Sequence, residues 1–600
     1  MIKYFFLLLS IFFSNIAQAQ KSELLEKKLK SVLVDENLTG AVWSTVDNEI
    51  IVNGALGLKN VNSKELINSK NSAQVGSLTK VLIATGILRL SSQGKIDIDS
   101  PVNKILPNMV FDNPWEITNP VTVRDLLNHT SGLEDARFWQ IFSTKPSPTS
   151  PLESIFLKDL SVLKIRTKPG SRFSYSNMGY TMLGLIIEKM THEPYEDYLD
   201  AKLLKPLGMT NSTFQFVSQK GKDADSNLIM GHFDDGTTQE NLPMYLRPAG
   251  QFTTTANDMA LLAKFLMSDG IINGESFIKT ELLRQMGKPV SIESNKEGLN
   301  SGYQFGLSYR DRYGVIGYFH RGNTLGFRAT FYLFPEEKKA FFISFNTDSE
   351  TADYQKFNKV FIEHLGIEKK SKTTSNVSLD NDIDVYEGFY RLNPVRFEKF
   401  AYLDLLFNSI QVSKIDNELI VKSIQNNTYA LLPVSENLFR KQDRLRVSHV
   451  LYEKNNKQHI SDGLATYEKV STLYLVLMWL NLTLGLLGVI IILIKGFYFL
   501  IKKQLFSGKQ ALTVPFISII LLFLPIPFLV NQSFLSLGDV SLANILLTVV
   551  TGFFAIAMIF GFIRTVKNKT YSIDAFGIIF TLQWIIVLIF WNLLPFRLWA

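Results

Sequence analysis

After residue 470 the chain becomes almost wholly apolar, in a form that no soluble core of ordinary size could absorb. Four stretches stand out: Thr472–Ile494, Leu512–Val530, Leu542–Ile563 and Phe576–Leu594. Each is near the ~20 residues that a helix needs to cross a bilayer. Pro515, Pro525 and Pro527 would break a soluble helix. Within a bundle, neighbouring helices can satisfy the carbonyls they free. Asn481, Gln583 and Asn592 are polar positions in or at the ends of the stretches, and they read as joints between helices or interface residues rather than as a transport path.

Charge orients the spans. Lys495, Lys502, Lys503 and Lys509 fall between the first and second, and Arg564, Lys567 and Lys569 between the third and fourth. The intervening loop has Asp539 and no basic residue. Positive loops stay in the cytoplasm, so residues 20–470 and the C-terminus are expected outside, with Arg597 a minor exception. The N-terminus predicts the same side. Lys3, an apolar run Tyr4–Phe13 and Ala17-Gln18-Ala19 read as a signal peptide over 1–19, leaving a mature chain that begins at Gln20. The expected place is a bacterial cytoplasmic membrane, multi-pass, with the large soluble part facing the periplasm or exterior.

The formal net charge of +7 is accounted for by Lys3 and the membrane region, so residues 20–470 are neutral overall. Their basic residues are scattered, which excludes the phosphate-tracking surface of a nucleic-acid binder. There is no cysteine, so disulfide, thiolate and Cys-ligated metal chemistry are absent. The seven histidines form no metal-ligand pattern, and neither a cofactor nor a metal is expected.

Within the soluble part, residues 41–57 alternate as a hairpin turning near Asp47-Asn48. Helical patterns run from Ser77 to about Phe265, and strands return at Phe327–Phe334 and Ala340–Asn346. A helix carrying Phe357, Val360, Phe361 and Leu365 follows. Strands at both ends of a helical middle predict an α/β domain over 20–368, with a mostly antiparallel sheet and an inserted helical region. Polar residues 369–382 read as a linker. Residues 383–470, with short runs flanking Asp416-Asn417, read as a small β-domain, barrel-like in outline, and 471–600 as the membrane domain.

Chemistry concentrates at Gly76-Ser77-Leu78-Thr79-Lys80, where an apolar helix begins at the serine and ends before Gly94. Residues i and i+3 share a helix face, which sets the Lys80 amine beside the Ser77 hydroxyl. A serine becomes a good nucleophile when a base takes its proton, and a desolvated lysine of lowered pKa can be that base. Ser-x-x-Lys alone is weak, since Ser161-Val-Leu-Lys164 repeats it and reads as helix surface. The constellation is stronger: Tyr175-Ser176-Asn177 precedes an apolar helix that Asn177 could cap, and His320-Arg321-Gly322 closes a strand-like run.

In that order the chain resembles the penicillin-recognising serine hydrolases: class C β-lactamases, D-alanyl-D-alanine carboxypeptidases and the related D-aminopeptidases and esterases. The resemblance covers roughly residues 30–365. Further support comes from Gly94-Lys-Ile-Asp-Ile-Asp-Ser-Pro101, Val123-Arg-Asp-Leu-Leu-Asn-His-Thr-Ser-Gly-Leu133, Pro206-Leu-Gly-Met209 and Thr254-Thr-Ala-Asn-Asp-Met-Ala260. It implies that Ser77 forms an acyl-enzyme, that Lys80 takes or relays the proton, and that Tyr175 is the second proton-transfer group. Asn177 would hold the substrate amide and the Lys80 amine. Gly322 would admit substrate along the strand edge, and the N–H groups of Ser77 and Asn323 would form the oxyanion hole. His320 stands where better-known members have lysine. A neutral imidazole is a poor anchor for a substrate carboxylate, although Arg321 is next to it, and the D-aminopeptidase and esterase branches resemble it here.

His129 reads as a packing residue at a helix end, and Thr122 with Asp125, and Thr255 with Asp258, as capping boxes. Three functions remain open. The first is a hydrolase for D-amino-acid peptides, esters or amides, with a small-molecule or peptide substrate related to peptidoglycan. The second is a non-catalytic receptor or covalent sensor for cell-wall fragments or β-lactams, signalling through the spans. The third is a transporter, which the scarcity of ionisable residues in the spans disfavours.

Overall fold

The structure is a computed structural model that describes residues 20–289, 291–373, 377, 379, 381–508, 510–568 and 573–599. The signal peptide, Lys509, Lys569 and part of the 369–382 segment therefore lie outside the described residues.

An eight-stranded antiparallel sheet organises the first part. Gly40–Asp47 is an interior strand, third from one edge, hydrogen-bonded to Ile50–Asn60 on one side and to Lys339–Phe345 on the other. Phe327–Phe334 and Val315–Thr324 continue outward from there. Alternation decides what each face buries. Val42, Val46, Phe331, Leu333 and Phe342 join the large core beneath the helical region. Ala41, Trp43, Tyr332, Phe334, Phe341 and Ile343 face the other way, under the 20–35 helix and Gln355–Leu365. A strand with both faces covered has few polar positions, which is why Ala340 to Ile343 is a continuous apolar run, with Ser344 buried after it.

The expected hairpin is present, with Asn48 at positive φ in a two-residue turn. The helical middle is centred on Thr79–Ser92, whose residues from Thr79 to Leu88 are all buried. A helix that is apolar all round belongs inside, and this one is enclosed by the sheet and the Asn177–Thr191 helix. Thr122 and Asp125 form the expected capping box. The second one is only half made. Thr255 Oγ1 accepts from Asp258 N, but the Asp258 carboxylate accepts from Asn211 N (2.8 Å) and Ser212 Oγ (2.7 Å) instead. It ties a distant loop rather than its own helix end. The Ser161–Lys164 repeat lies on a short 3₁₀ turn, Leu160–Leu163.

From Gly388 to Val470, eight short strands close into a barrel, the first pairing with the last through Phe389 and Val470. Tyr390, Val412, Leu419, Val421, Leu431, Phe439, Leu451 and Ile460 fill it. Closure leaves no free edge to template aggregation. Between this barrel and the first part, Lys370 N donates to Gly314 O and Thr373 N to Leu445 O.

Among the described residues beyond the barrel, four helical segments are long and apolar enough to cross a membrane: Thr472–Ile501, Thr513–Asn531, Leu542–Lys567 and Ile573–Phe590. The second is broken, as its prolines require, into Thr513–Leu521 and Ile526–Asn531. Gly488 lets the first and fourth helices approach closely, since a Cβ there would lie 2.7 Å from Gly577 O. Asn481 and Gln583 are hydrogen-bonded across the same pair, as joints between helices.

Candidate active site

Ser77 stands on a tight turn, Gly76–Leu78, that feeds directly into the Thr79–Ser92 helix. Gly76 has φ +50°, and a Cβ there would be 2.5 Å from Asn323 O. Gly322 is tighter, since its Cβ would lie 1.8 Å from Val75 O. Two glycines thus let the end of the Val315–Thr324 strand press against the serine turn. That strand pairs with Leu307–Arg312 only up to Phe319, so residues 320–324 keep one edge free of a strand neighbour. Asn323 N lies 2.9 Å from where a Gly76 Cβ would sit, which brings the Asn323 backbone to the Ser77 turn.

Lys80 is fully buried one turn into the helix. Its Nζ is 3.0 Å from Ser77 Oγ and donates to Ala249 O at 2.7 Å. The rings of Tyr175 and Tyr180 enclose it at 5.0 and 5.7 Å. Desolvation brings the Lys80 amine down to about 7, with Asp135 pulling it up and Arg396 pushing it down. An amine of that pKa is about half neutral at pH 7 and increasingly neutral above it. It then has two N–H groups, one of them for Ala249 O, and one lone pair for the serine proton. Thr79 fixes this arrangement: its Oγ1 donates to Gly76 O and accepts from Phe252 N, holding the 249–252 segment against the turn.

Tyr175 Oη donates to Ser77 Oγ at 2.9 Å. Burial raises the phenol well above its ordinary value, so it is a proton donor at neutral pH. Its loop is held by residues 129–135. Ser174 N donates to His129 O, Ser176 N to His129 Nδ1, and Ser176 Oγ to Glu134 O. His129 is buried among Phe173, Tyr175, Tyr180 and Tyr303, with the Tyr175 ring 4.3 Å away. Desolvation and the neighbouring Lys80 push its pKa well below the ordinary value. A neutral ring that accepts at Nδ1 and stacks on Tyr175 does packing work, as its sequence position suggests.

Asn177 departs from expectation in two respects. Ser176, not Asn177, caps the helix: its Oγ accepts from Gly179 N, and Asn177 is the first helical residue. Moreover, Asn177 makes no hydrogen bond to Lys80, whose partners are Ser77 and Ala249. Asn177 N instead donates to Asp135 Oδ1. Ala249 and Asp135 lie outside the motifs, and neither residue type in its local sequence signals a site.

His320 is buried, and its Nδ1 sits 2.7 Å from Arg321 O. Burial, with Lys80 nearby, takes its pKa down to about 3, so it is neutral throughout the working range. Arg321 and Asn323 are exposed beside it. Among the described residues there is no cluster of His, Asp and Glu able to hold a metal ion.

A family profile described as Beta-lactamase matches residues 26–360. Protein flp of Staphylococcus aureus (strain N315) is 25% identical over 403 residues, covering 66% of this chain and 75% of that protein. Among solved structures, the crystal structure of SurE superposes with a TM-score of 0.53 at 19% identity, over 76% of this chain and all of that one. A second SurE structure, with D-Leu, gives 0.52 at 18% over 75% of this chain. These two superpositions speak to the fold.

Proposed function

The chain belongs to the Beta-lactamase family, and on that premise we propose that it is a membrane-held serine hydrolase working through an acyl-enzyme on Ser77. The observation that carries this reading is the convergence of Lys80 Nζ and Tyr175 Oη on Ser77 Oγ, at 3.0 and 2.9 Å. Ser77 Oγ attacks a substrate carbonyl carbon while its proton passes to the neutral Lys80 amine. The carbonyl oxygen becomes an oxyanion received by the N–H groups of Ser77 and Asn323. Collapse breaks the bond to the leaving nitrogen or oxygen, which takes a proton from Lys80 or from Tyr175. Water then attacks the acyl ester, and the same groups return the proton to Ser77.

The substrate class follows from the third motif. Neutral His320 offers no fixed cation to a terminal carboxylate. That favours neutral esters and amides, including D-amino-acid peptides and related cell-wall compounds, over an obligate carboxypeptidase substrate. Asn177 and Gly322 would line the substrate's path.

We assign residues 20–470 to the periplasmic or outer face of a bacterial cytoplasmic membrane. The basic loops support this side. So does the 532–541 connection between the second and third spans. Asp539 there accepts from Ser143 Oγ (2.5 Å) and Thr144 N (3.1 Å), holding that connection against the hydrolase part.

The test is product release by the full chain from a β-lactam, a D-alanyl amide, a D-Ala-D-Ala peptide and a neutral ester. Turnover of the amide or ester ahead of the peptide supports the reading. The contacts between spans and hydrolase part favour one second reading, a covalent sensor, and an adduct that forms without product would select it. Absence of both adduct and product from folded protein would reject both readings.

A further inference from the structure

One strongly placed cation near Ser77 comes from neither the helical region nor the sheet. Arg396 follows the first barrel strand, Gly388–Leu392. Its guanidinium lies 4.8 Å from the centre of the Tyr175 ring. Its Nε donates to Asp135 Oδ2 at 2.6 Å, and Asp135 N donates back to Arg396 O. Asp135 is the carboxylate whose other oxygen holds Asn177 N. Arg396 therefore touches the support of both Tyr175 and Asn177.

The backbone around Arg396 is clamped on three sides. Arg166 donates to Val395 O at 2.6 Å and, with its other nitrogen, to Ser174 Oγ beside Tyr175. Glu398 N donates to Glu134 Oε1. On the barrel side, Asn393 Nδ2 donates to Glu468 Oε2 at 2.6 Å. On the membrane side, the short helix Ala401–Phe407 sits on the outer ends of the first and fourth spans. Tyr402 lies 5.9 Å from Trp591 and its hydroxyl 3.5 Å from Asn481 Oδ1, and Phe407 lies 5.3 Å from Trp479. Lys399 donates to the Arg597 carbonyl. Five residues lie between Arg396, whose guanidinium is on the active-site tyrosine, and Tyr402, which is seated on the spans.

We propose that Arg396 is a positioning residue of the hydrolytic site and that the membrane-spanning bundle sets its place through the Ala401–Phe407 helix. This rests on the reading of Ser77 and Lys80 given above. It supplies a role for a multi-helix bundle that an anchor alone does not need.

The readout is the pH dependence of Ser77 acylation. Lys80 faces Ser77 on its own turn, Tyr175 and Tyr180 from the following loop and helix, and His129 and Asp135 from the 129–135 segment. His320 and Arg321 face it from the strand, Arg321 acting on Tyr175 and Arg396, and Arg396 faces it from the barrel side. Among these, Arg396 depresses the Lys80 pKa and Asp135 raises it. Removing Arg396 both deletes a positive charge and frees Asp135, and both changes raise the Lys80 pKa. The rate limb that needs neutral Lys80 must then move to higher pH. Two charges several ångströms apart near a protein surface make this about one pH unit, or about fivefold in rate at pH 7 and approaching tenfold below it.

The experiment uses the full chain in lipid nanodiscs, an activated ester as acylating probe, and intact mass as detector across pH 5–9. Arg396→Gln should move the limb up by about one unit, Arg396→Lys by clearly less. The double variant Tyr402→Ala, Phe407→Ala should move it in the same direction with Arg396 still present. A merely structural defect would lower the amplitude without moving the limb. An unmoved limb in Arg396→Gln overturns the proposal. A shift in Arg396→Gln but none in the double variant overturns the role given to the bundle. Wild type that is never acylated would instead remove the Ser77 reading beneath it.

Discussion

Replacing Gly322 by alanine should separate folding from chemistry in this site. A Cβ at 322 would lie 1.8 Å from the Val75 carbonyl oxygen and 2.9 Å from the Val75 carbonyl carbon. Both are backbone atoms, so no side chain can swing away. To reach van der Waals contact, the strand end and the serine turn must part by more than about 1 Å, and a displacement of that size at a reacting centre costs about 10²-fold in rate. The overpacking itself should cost about 1–3 kcal/mol of stability. The 20–365 core is large enough to absorb that. A control defines the other extreme. Gly94 ends the Ser77 helix at φ +71° with nothing within 4 Å of an added Cβ. Gly94→Ala should cost about 1–2 kcal/mol from left-handed backbone strain and leave acylation nearly unchanged. Thermal unfolding and the pseudo-first-order rate of acylation by an activated ester, both on the full chain, measure the two quantities. If Gly322→Ala acylates within twofold of wild type, the close approach of strand and turn does not position Ser77, and the reasoning fails.

Other consequences can be checked alongside. The acylation rate should rise with pH through about 7, because burial lowers the Lys80 amine and the neutral form is the base; a flat profile between pH 5 and 9 would assign the base elsewhere. Lys80→Ala should lower the rate by about 10³-fold or more, within the range for a general base with its proton-transfer role removed, and a loss under tenfold would contradict that role. His320→Lys should raise turnover of a D-Ala-D-Ala peptide relative to a neutral ester by restoring a cation at the strand end; an unchanged ratio would show that His320 does not govern carboxylate recognition. Asn481→Ala should lower the thermal stability of the bundle by about 0.6 kcal/mol, the typical worth of one interhelical hydrogen bond in a membrane, and no change would mean that its bond to Gln583 is not a joint.

Much of this site was legible in the sequence because its residues are locally encoded. Ser77 and Lys80 are one helical turn apart, Tyr175 precedes a helix start, and Gly322 follows a strand, so short patterns suffice. The parts that were not legible come from groups whose value lies only in where the fold delivers them. Ala249 acts through a backbone carbonyl, to which its side chain is irrelevant. Asp135 looks like any loop carboxylate until its two oxygens are seen on Asn177 N and Arg396. Arg396 lies more than two hundred residues after Ser77 and Tyr175 and belongs to none of the motifs, so nothing local marks it. Ser176 and Asn177 are adjacent and both residue types cap well, so the one-residue choice between them rests on backbone geometry that sequence does not carry. The β-character of residues 383–470 was visible in alternation, but closure required pairing Phe389 with Val470, a contact no local pattern announces. The spans were the easiest elements to read. Their length and apolarity are set by the bilayer, and only the break before Ile526 depended on how the prolines are arranged.

The central claim is that Ser77 is the nucleophile, and intact mass spectrometry of the full chain after treatment with an activated ester tests it most directly. Wild type should gain the mass of one acyl group, mapped to the peptide carrying Ser77, and Ser77→Ala should gain none. Equal labelling of the two proteins, or a label on any other residue, would contradict the account.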